Sequence, residues 1–121
     1  MKVTPKIQLG RNAEQKACDF LLAKGLHLIA RNFHCSLGEI DLIMQDGEDI
    51  VFVEVRSRSS ADYGSAIESI NKNKQKKVIK SAVFYLKKRN WLEKVNYRFD
   101  VIGFSPSDCE WIKNAFSMST Y

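Results

Sequence analysis

The sequence predicts an α/β fold: a helix, three strands, a second helix and one or two further strands, with the helices covering a central mixed sheet in an α/β/α arrangement. Three observations carry this. Residues 11–24 place Ala13, Ala17, Phe20, Leu21 and Lys24 on one helical stripe that stops at Gly25. The run Ile50–Val55 is apolar on both faces over its first half, as a strand covered on both sides must be. A long amphipathic stretch from Asn71 to about Asn90 then separates it from a second apolar run, Tyr97–Phe104.

The elements follow in order. In the first helix Glu14 shares its row with Cys18 and Leu21, at the edge of the buried face. Leu26–Cys35 reads as the first strand, and residues 38–45 and 50–57 as a hairpin around an Asp46-Gly47 turn signal. Ser57–Ser65, with Ser59-Ser60, Asp62 and Gly64, reads as a loop. Asn71 suits the N-cap of the second helix, whose inner face carries Val78, Ala82, Tyr85 and Leu86. Ser105-Pro106-Ser107 ends the next strand, and Cys109–Phe116 adds a short edge strand with Trp111 and Ile112. Nothing divides the chain, so its 121 residues form a single expected domain, with residues 1–9 as a flexible arm.

Composition narrows the function classes. Hydrophobic content of 45% and charged content of 27% suit a soluble protein, and no apolar run approaches the ~20 residues of a membrane helix. Cys18, Cys35 and Cys109 are widely spaced and odd in number, which argues for reduced thiols in the cytoplasm and against a zinc site. His27 and His34 have no partner at ligand spacing and belong on a strand's polar face. The net charge of +5 suggests a polyanionic partner. Its distribution says more: residues 72–89 carry eight Lys and Arg side chains and no acid, while acids gather at 39–54. A basic surface beside an acidic pocket suits a phosphodiester that meets a metal.

The chemistry concentrates in Gly38-Glu39-Ile40-Asp41-Leu42-Ile43 and Val51-Phe52-Val53-Glu54-Val55-Arg56. If Asp46-Gly47 is a two-residue loop, Asp41 faces Phe52 with Glu54 diagonal to it. If the loop spans 46–49, Asp41 lies directly opposite Glu54. Either register sets the two acids on one side of the sheet, with Cβ atoms roughly 5 to 8 Å apart. Two like charges that close need a cation, or a bland surface ion pair with Arg56. With the Val55 carbonyl as a third oxygen, the donor set suits Mg²⁺ or Mn²⁺. Glu14 and Glu39 read as solvated acids by periodicity alone. Asp100, in an apolar strand, reads as a structural partner of Arg98 or a helix lysine. Lys72, Lys74, Lys76 and Lys77 are the expected phosphate-binding residues.

These residues resemble a known family. Gly10-Arg11 leading to Glu14, Arg31-Asn32, the two central motifs, Gly64, Arg98-Phe99-Asp100-Val101 and Trp111-Ile112-Lys113-Asn114-Ala115-Phe116 are similar to the YraN family of uncharacterised bacterial proteins. That family is similar in turn to archaeal Holliday-junction resolvases and the PD-(D/E)XK nuclease superfamily. The resemblance implies a restriction-endonuclease-like fold with an α-β-β-β-α-β core. It sets Asp41 on the motif aspartate, Glu54 on the motif glutamate and Glu14 on the first-helix glutamate of the resolvases. Arg56 takes the place of the motif lysine. Arginine stays charged and cannot act as a base, though it can stabilise charge, and Lys74 or Lys77 could enter from the second helix in its stead.

The expectation is therefore a Mg²⁺- or Mn²⁺-dependent DNA endonuclease for branched or non-B DNA. Its catalytic residues would be Glu14, Asp41, Glu54 and Arg56, with the metal on Asp41 and Glu54. The rival readings are a catalytically silent nucleic-acid-binding module and a protein-interaction adaptor. The expected partner is DNA and not a membrane, and the residues leave open whether the chain forms a homodimer.

Overall fold

The structure, a computed structural model, describes residues 5–57, 69–106 and 108–117. Its order is α1 (Pro5–Ala23), β1 (His27–Cys35), β2 (Gly38–Asp46), β3 (Asp49–Ser57), α2 (Lys72–Lys88), β4 (Tyr97–Ser105) and β5 (Asp108–Phe116). The loop expected over 57–65 lies, after Ser57, outside the described residues. The five strands form one mixed sheet in the order β1-β2-β3-β4-β5. All neighbours are antiparallel except β3 and β4, which run parallel across the α2 connection.

Both helices end in the same way. Beyond α1, Leu26 N–H bonds the Leu21 carbonyl and Gly25 N–H the Leu22 carbonyl. Gly25 sits at φ +95°, where its missing Cβ removes the steric cost. After α2, Trp91 and Asn90 make the equivalent bonds to Leu86 and Lys87, with Asn90 at φ +59°. Asn71 caps the front of α2, its Oδ1 accepting the Lys74 N–H at 2.8 Å. Helix α1 begins at Pro5, six residues before the expected start and within the segment expected as an arm. Pro5 suits a first turn, since its missing N–H is one that a helix start leaves unpaired anyway. The last strand is a full nine residues rather than a short edge piece.

The helices cover opposite faces. On one, Val78, Ile79, Ala82, Tyr85 and Leu86 of α2 pack against Ile43, Phe52, Phe99 and Val101. On the other, Ala17, Cys18 and Leu21 of α1 pack against Leu42, Met44, Val51, Val53 and Ile102. Each fully buried large apolar side chain contributes about 1.5–3 kcal/mol. Strand β3 is central, and Ile50 to Glu54 are all buried. Phe52, Phe99 and Phe116 stack across three strands, with ring centroids 5.6 and 5.2 Å apart.

The hairpin takes the second of the two expected registers. Gln45 pairs with Ile50 and Asp46 with Asp49, so the turn is Gly47-Glu48. One step beyond the Leu42–Val53 pair, Asp41 comes opposite Glu54.

Candidate active site

The site forms where β2 and β3 stop being a regular pair. Ile40 and Ile43 both pack on the α2 side while Leu42 and Met44 pack on the α1 side. Alternation along β2 therefore skips a step at Asp41. The cause lies partly in β1: Asn32 stands across from Asp41, between the Arg31–Leu42 and Phe33–Ile40 pairs, at φ +50°. Asparagine tolerates that left-handed backbone better than most residues. Its side chain bonds Glu14 on α1, and Glu14 senses the charges of Asp41 and Glu39. The irregular step thus draws acids from α1 and β2 together.

Asp41 is fixed by backbone. Val55 N–H donates to its Oδ2 at 2.8 Å, so a side chain serves as acceptor beyond the regular ladder. Glu54 is 3% exposed and its Oε2 has no donor among the described residues. Lys74, from the first turn of α2, sets its Nζ 3.6 Å from Glu54 Oε1. Burial first, and then the Asp41 charge, push the Glu54 carboxyl up to about 8, against the pull of Lys74. Asp41 is also raised by burial, with the Val55 N–H opposing. Two adjacent carboxylates cannot bond each other while both are ionised. Metal-free, the pair therefore shares a proton near neutral pH. Glu14 is raised as well, by burial and then by Asp41.

The expected residues separate into two groups. Asp41 and Glu54 come together, with Lys74 facing Glu54, while Glu14 senses the Asp41 charge from α1 without closing a three-acid cluster. Arg56 turns aside: its Nε bonds Ser69 Oγ at 3.0 Å and its Nη2 bonds the Ser69 carbonyl at 2.9 Å. Glu39 pairs with exposed His34 at 3.2 Å. Lys72 and Lys77 are exposed on α2, and Lys76 is half-buried. A cleft of about 410 Å³ opens between the His34–Glu39 turn and Lys74 and Lys77. Asp100 is fully buried and structural, accepting from Arg98, from Trp111 Nε1 at 3.0 Å and from Asn114 N–H at 2.9 Å.

Two contributors had no role assigned from sequence. Asn32 stood only inside a motif, although asparagine within a strand is itself a signal, being depleted there. Ser69, the partner of Arg56, carried no local signal.

A model of the family described as Uncharacterised protein family UPF0102 matches residues 13–104. The chain belongs to the UPF0102 family. This bears out the resemblance to the YraN proteins. A UPF0102 protein of Nitrosococcus oceani is 42% identical over 99% of this chain and 100% of its own. One from Haemophilus influenzae is 51% identical over 90% of this chain and 94% of its own. One from Legionella pneumophila is 46% identical over 88% and 92%. The UPF0102 match spans α1 to β4 and so takes in every residue of the site.

Among the described residues no three His, Cys, Asp or Glu side chains converge into a metal cage of their own. No described helix is long and apolar enough to cross a membrane. Two adjacent carboxylates still fit a hard divalent ion, because Mg²⁺ commonly keeps several waters and takes only one or two protein carboxylates. The donorless Glu54 Oε2 is the atom such an ion would satisfy.

Proposed function

We propose that this chain is a divalent-metal-dependent DNA endonuclease of restriction-endonuclease-like fold, acting on branched or otherwise non-B DNA. One observation carries the reading: a buried carboxylate, Glu54, lies beside a second, Asp41, with one oxygen lacking a donor among the described residues and a cation 3.6 Å from the other. An unsatisfied buried carboxylate is costly, and such perturbed pairs cluster at functional sites.

Asp41 and Glu54 would hold Mg²⁺ or Mn²⁺, with the Val55 carbonyl as a third oxygen. The chemistry such an ion supplies is Lewis-acid polarisation of a phosphodiester and acidification of water. The chain's own groups do the rest. Val55 N–H keeps the Asp41 carboxylate aimed, and Asn32 holds Glu14 where it can orient a water molecule. Lys77 lines the cleft and Lys72 is exposed on the same helix, and both favour flanking phosphates.

The test is a cleavage assay with Mg²⁺ or Mn²⁺ on duplex, flap and four-way-junction DNA, with Glu54→Ala as control. Metal-dependent cleavage that Glu54→Ala abolishes is the expected result. DNA binding with no cleavage of any substrate would leave a silent nucleic-acid-binding module of the same family.

A further inference from the structure

We infer that Lys74, and not Arg56, supplies the positive side chain of the reaction centre. The inference rests on the nuclease reading and names a residue that reading leaves open.

Position argues first. Lys74 Nζ lies 3.6 Å from Glu54 Oε1, whereas among the described residues the Arg56 guanidinium bonds Ser69. The ammonium therefore stands at the metal-binding carboxylate, while the guanidinium ties the end of β3 to the segment that precedes α2.

Placement argues second, because the backbone carrying Lys74 is held at both ends. Its N–H is bonded by the Asn71 cap at 2.8 Å. One turn further along, α2 presses on the start of β2: a Cβ built on Gly38 would come 3.0 Å from Ser81 Oγ and 3.5 Å from the Lys77 carbonyl. Gly38 also has φ +152°, a backbone that L side chains rarely adopt. That close approach fixes the height of α2 above the carboxylates. Lys74 is also part-exposed and lines the 410 Å³ cleft, so a phosphate entering the cleft meets the same ammonium.

The chemistry needs a cation at that point. In hydrolysis the water oxygen forms the new bond to phosphorus, and the ester P–O bond breaks with its electron pair on the departing oxygen. One proton of the water ends on that oxygen and the other on the phosphomonoester or in solvent. Negative charge on the non-bridging oxygens peaks between these events, and a fixed ammonium stabilises it.

The experiment compares Lys74→Ala, Lys74→Arg, Arg56→Ala and Lys77→Ala in the full chain. It measures kcat and KM on the DNA that the wild type cleaves best, and Mn²⁺ affinity by calorimetry without DNA. Lys74→Ala should lose about 100-fold or more in kcat, the scale of removing one preorganised charge-stabilising group. Its KM should stay within a few-fold and its Mn²⁺ affinity should be equal or tighter, because a competing cation has gone. Lys74→Arg should recover part of the loss. Arg56→Ala should lose at most a tenth as much, and Lys77→Ala should act on KM. If Arg56→Ala is the damaging change and Lys74→Ala the mild one, the inference is overturned while the nuclease reading stands. A Lys74→Ala protein whose Mn²⁺ affinity falls in step with kcat also overturns it, since Lys74 would then only shape the carboxylates. A wild type that binds Mn²⁺ but cleaves no DNA defeats the nuclease reading itself, and this inference with it.

Discussion

Asp41 holds Val55: its carboxylate accepts the Val55 N–H at 2.8 Å, beyond the last regular pair of β2 and β3. The same carboxylate is thus a structural acceptor and a candidate metal ligand, and substitutions can separate the two roles. Asp41→Asn keeps an acceptor and removes the charge next to Glu54. Its metal-free stability should match or slightly exceed that of the wild type, and Mn²⁺ binding should vanish. Asp41→Ala leaves a part-buried N–H without its partner and should cost about 1–3 kcal/mol in urea denaturation. Equal stability of the two variants would show that the bond does not matter to the fold.

Glu54 sets a pH dependence. Its carboxyl is raised from 4.5 in the unfolded chain to about 8, so between these values the native state binds the extra proton. That contribution is fully present below about pH 4.5 and is lost as pH rises through 8. Asp41 is raised too and acts with the same sign. In EDTA, stability should therefore fall across this window, and Glu54→Gln should flatten the fall, raising Tm by on the order of 5 °C at pH 8 and little at pH 5. Metal needs the ionised carboxylate, so Mn²⁺ binding at pH 7 should release up to about one proton. Calorimetry in buffers of different ionisation enthalpy reads this directly. A parallel pH profile in Glu54→Gln would remove Glu54 as its cause.

What the sequence makes legible follows from how far each signal reaches. The strand pattern put Ile50–Val55 at the centre because a strand covered on both faces needs no alternation. It put Asp41 and Glu54 on adjacent strands because a single turn joins their two runs. The register itself was ambiguous, since Asp46-Gly47 has the composition of a two-residue turn that the chain makes one step later, at Gly47-Glu48. Lys74 was one of two lysines that could replace Arg56. Choosing it depends on the distance between α2 and β2, which is set by Gly38 against Ser81, far apart in the chain. The turn of Arg56 toward Ser69 and the φ of Asn32 are likewise products of packing rather than of local pattern.

Asp100 gives a test of structure away from the site. It is fully buried, and its two oxygens satisfy Arg98, Trp111 Nε1 and Asn114 N–H. Arg98 in turn reaches Asp46 at 2.9 Å, which ties β4 to the β2–β3 turn. Asp100→Ala leaves the Trp111 indole N–H and the Asn114 N–H without their acceptor, while Arg98 keeps Asp46 and Asp49, and should cost about 1–3 kcal/mol, the scale of leaving a buried donor unsatisfied. Denaturation should show the loss, while DNA affinity of the folded fraction stays unchanged. A cost below about 1 kcal/mol would mean that water reaches these groups readily.

The basic face of α2 makes the last forecast. Lys72 and Lys77 are exposed, no acid shares the first turn of the helix, and both sit close to the turn that carries Lys74. If they grip phosphates, replacing both with alanine should weaken DNA binding alike on every sequence, because phosphates carry no sequence information. The slope of log affinity against log salt should flatten by about 0.9 for each duplex phosphate the protein no longer neutralises. Fluorescence anisotropy on two unrelated duplexes, between about 50 and 200 mM salt, measures both effects. A weakening confined to one duplex would instead indicate base readout. Affinity indifferent both to salt and to the two substitutions would turn the basic helix toward a protein partner, and with it the chain toward an adaptor.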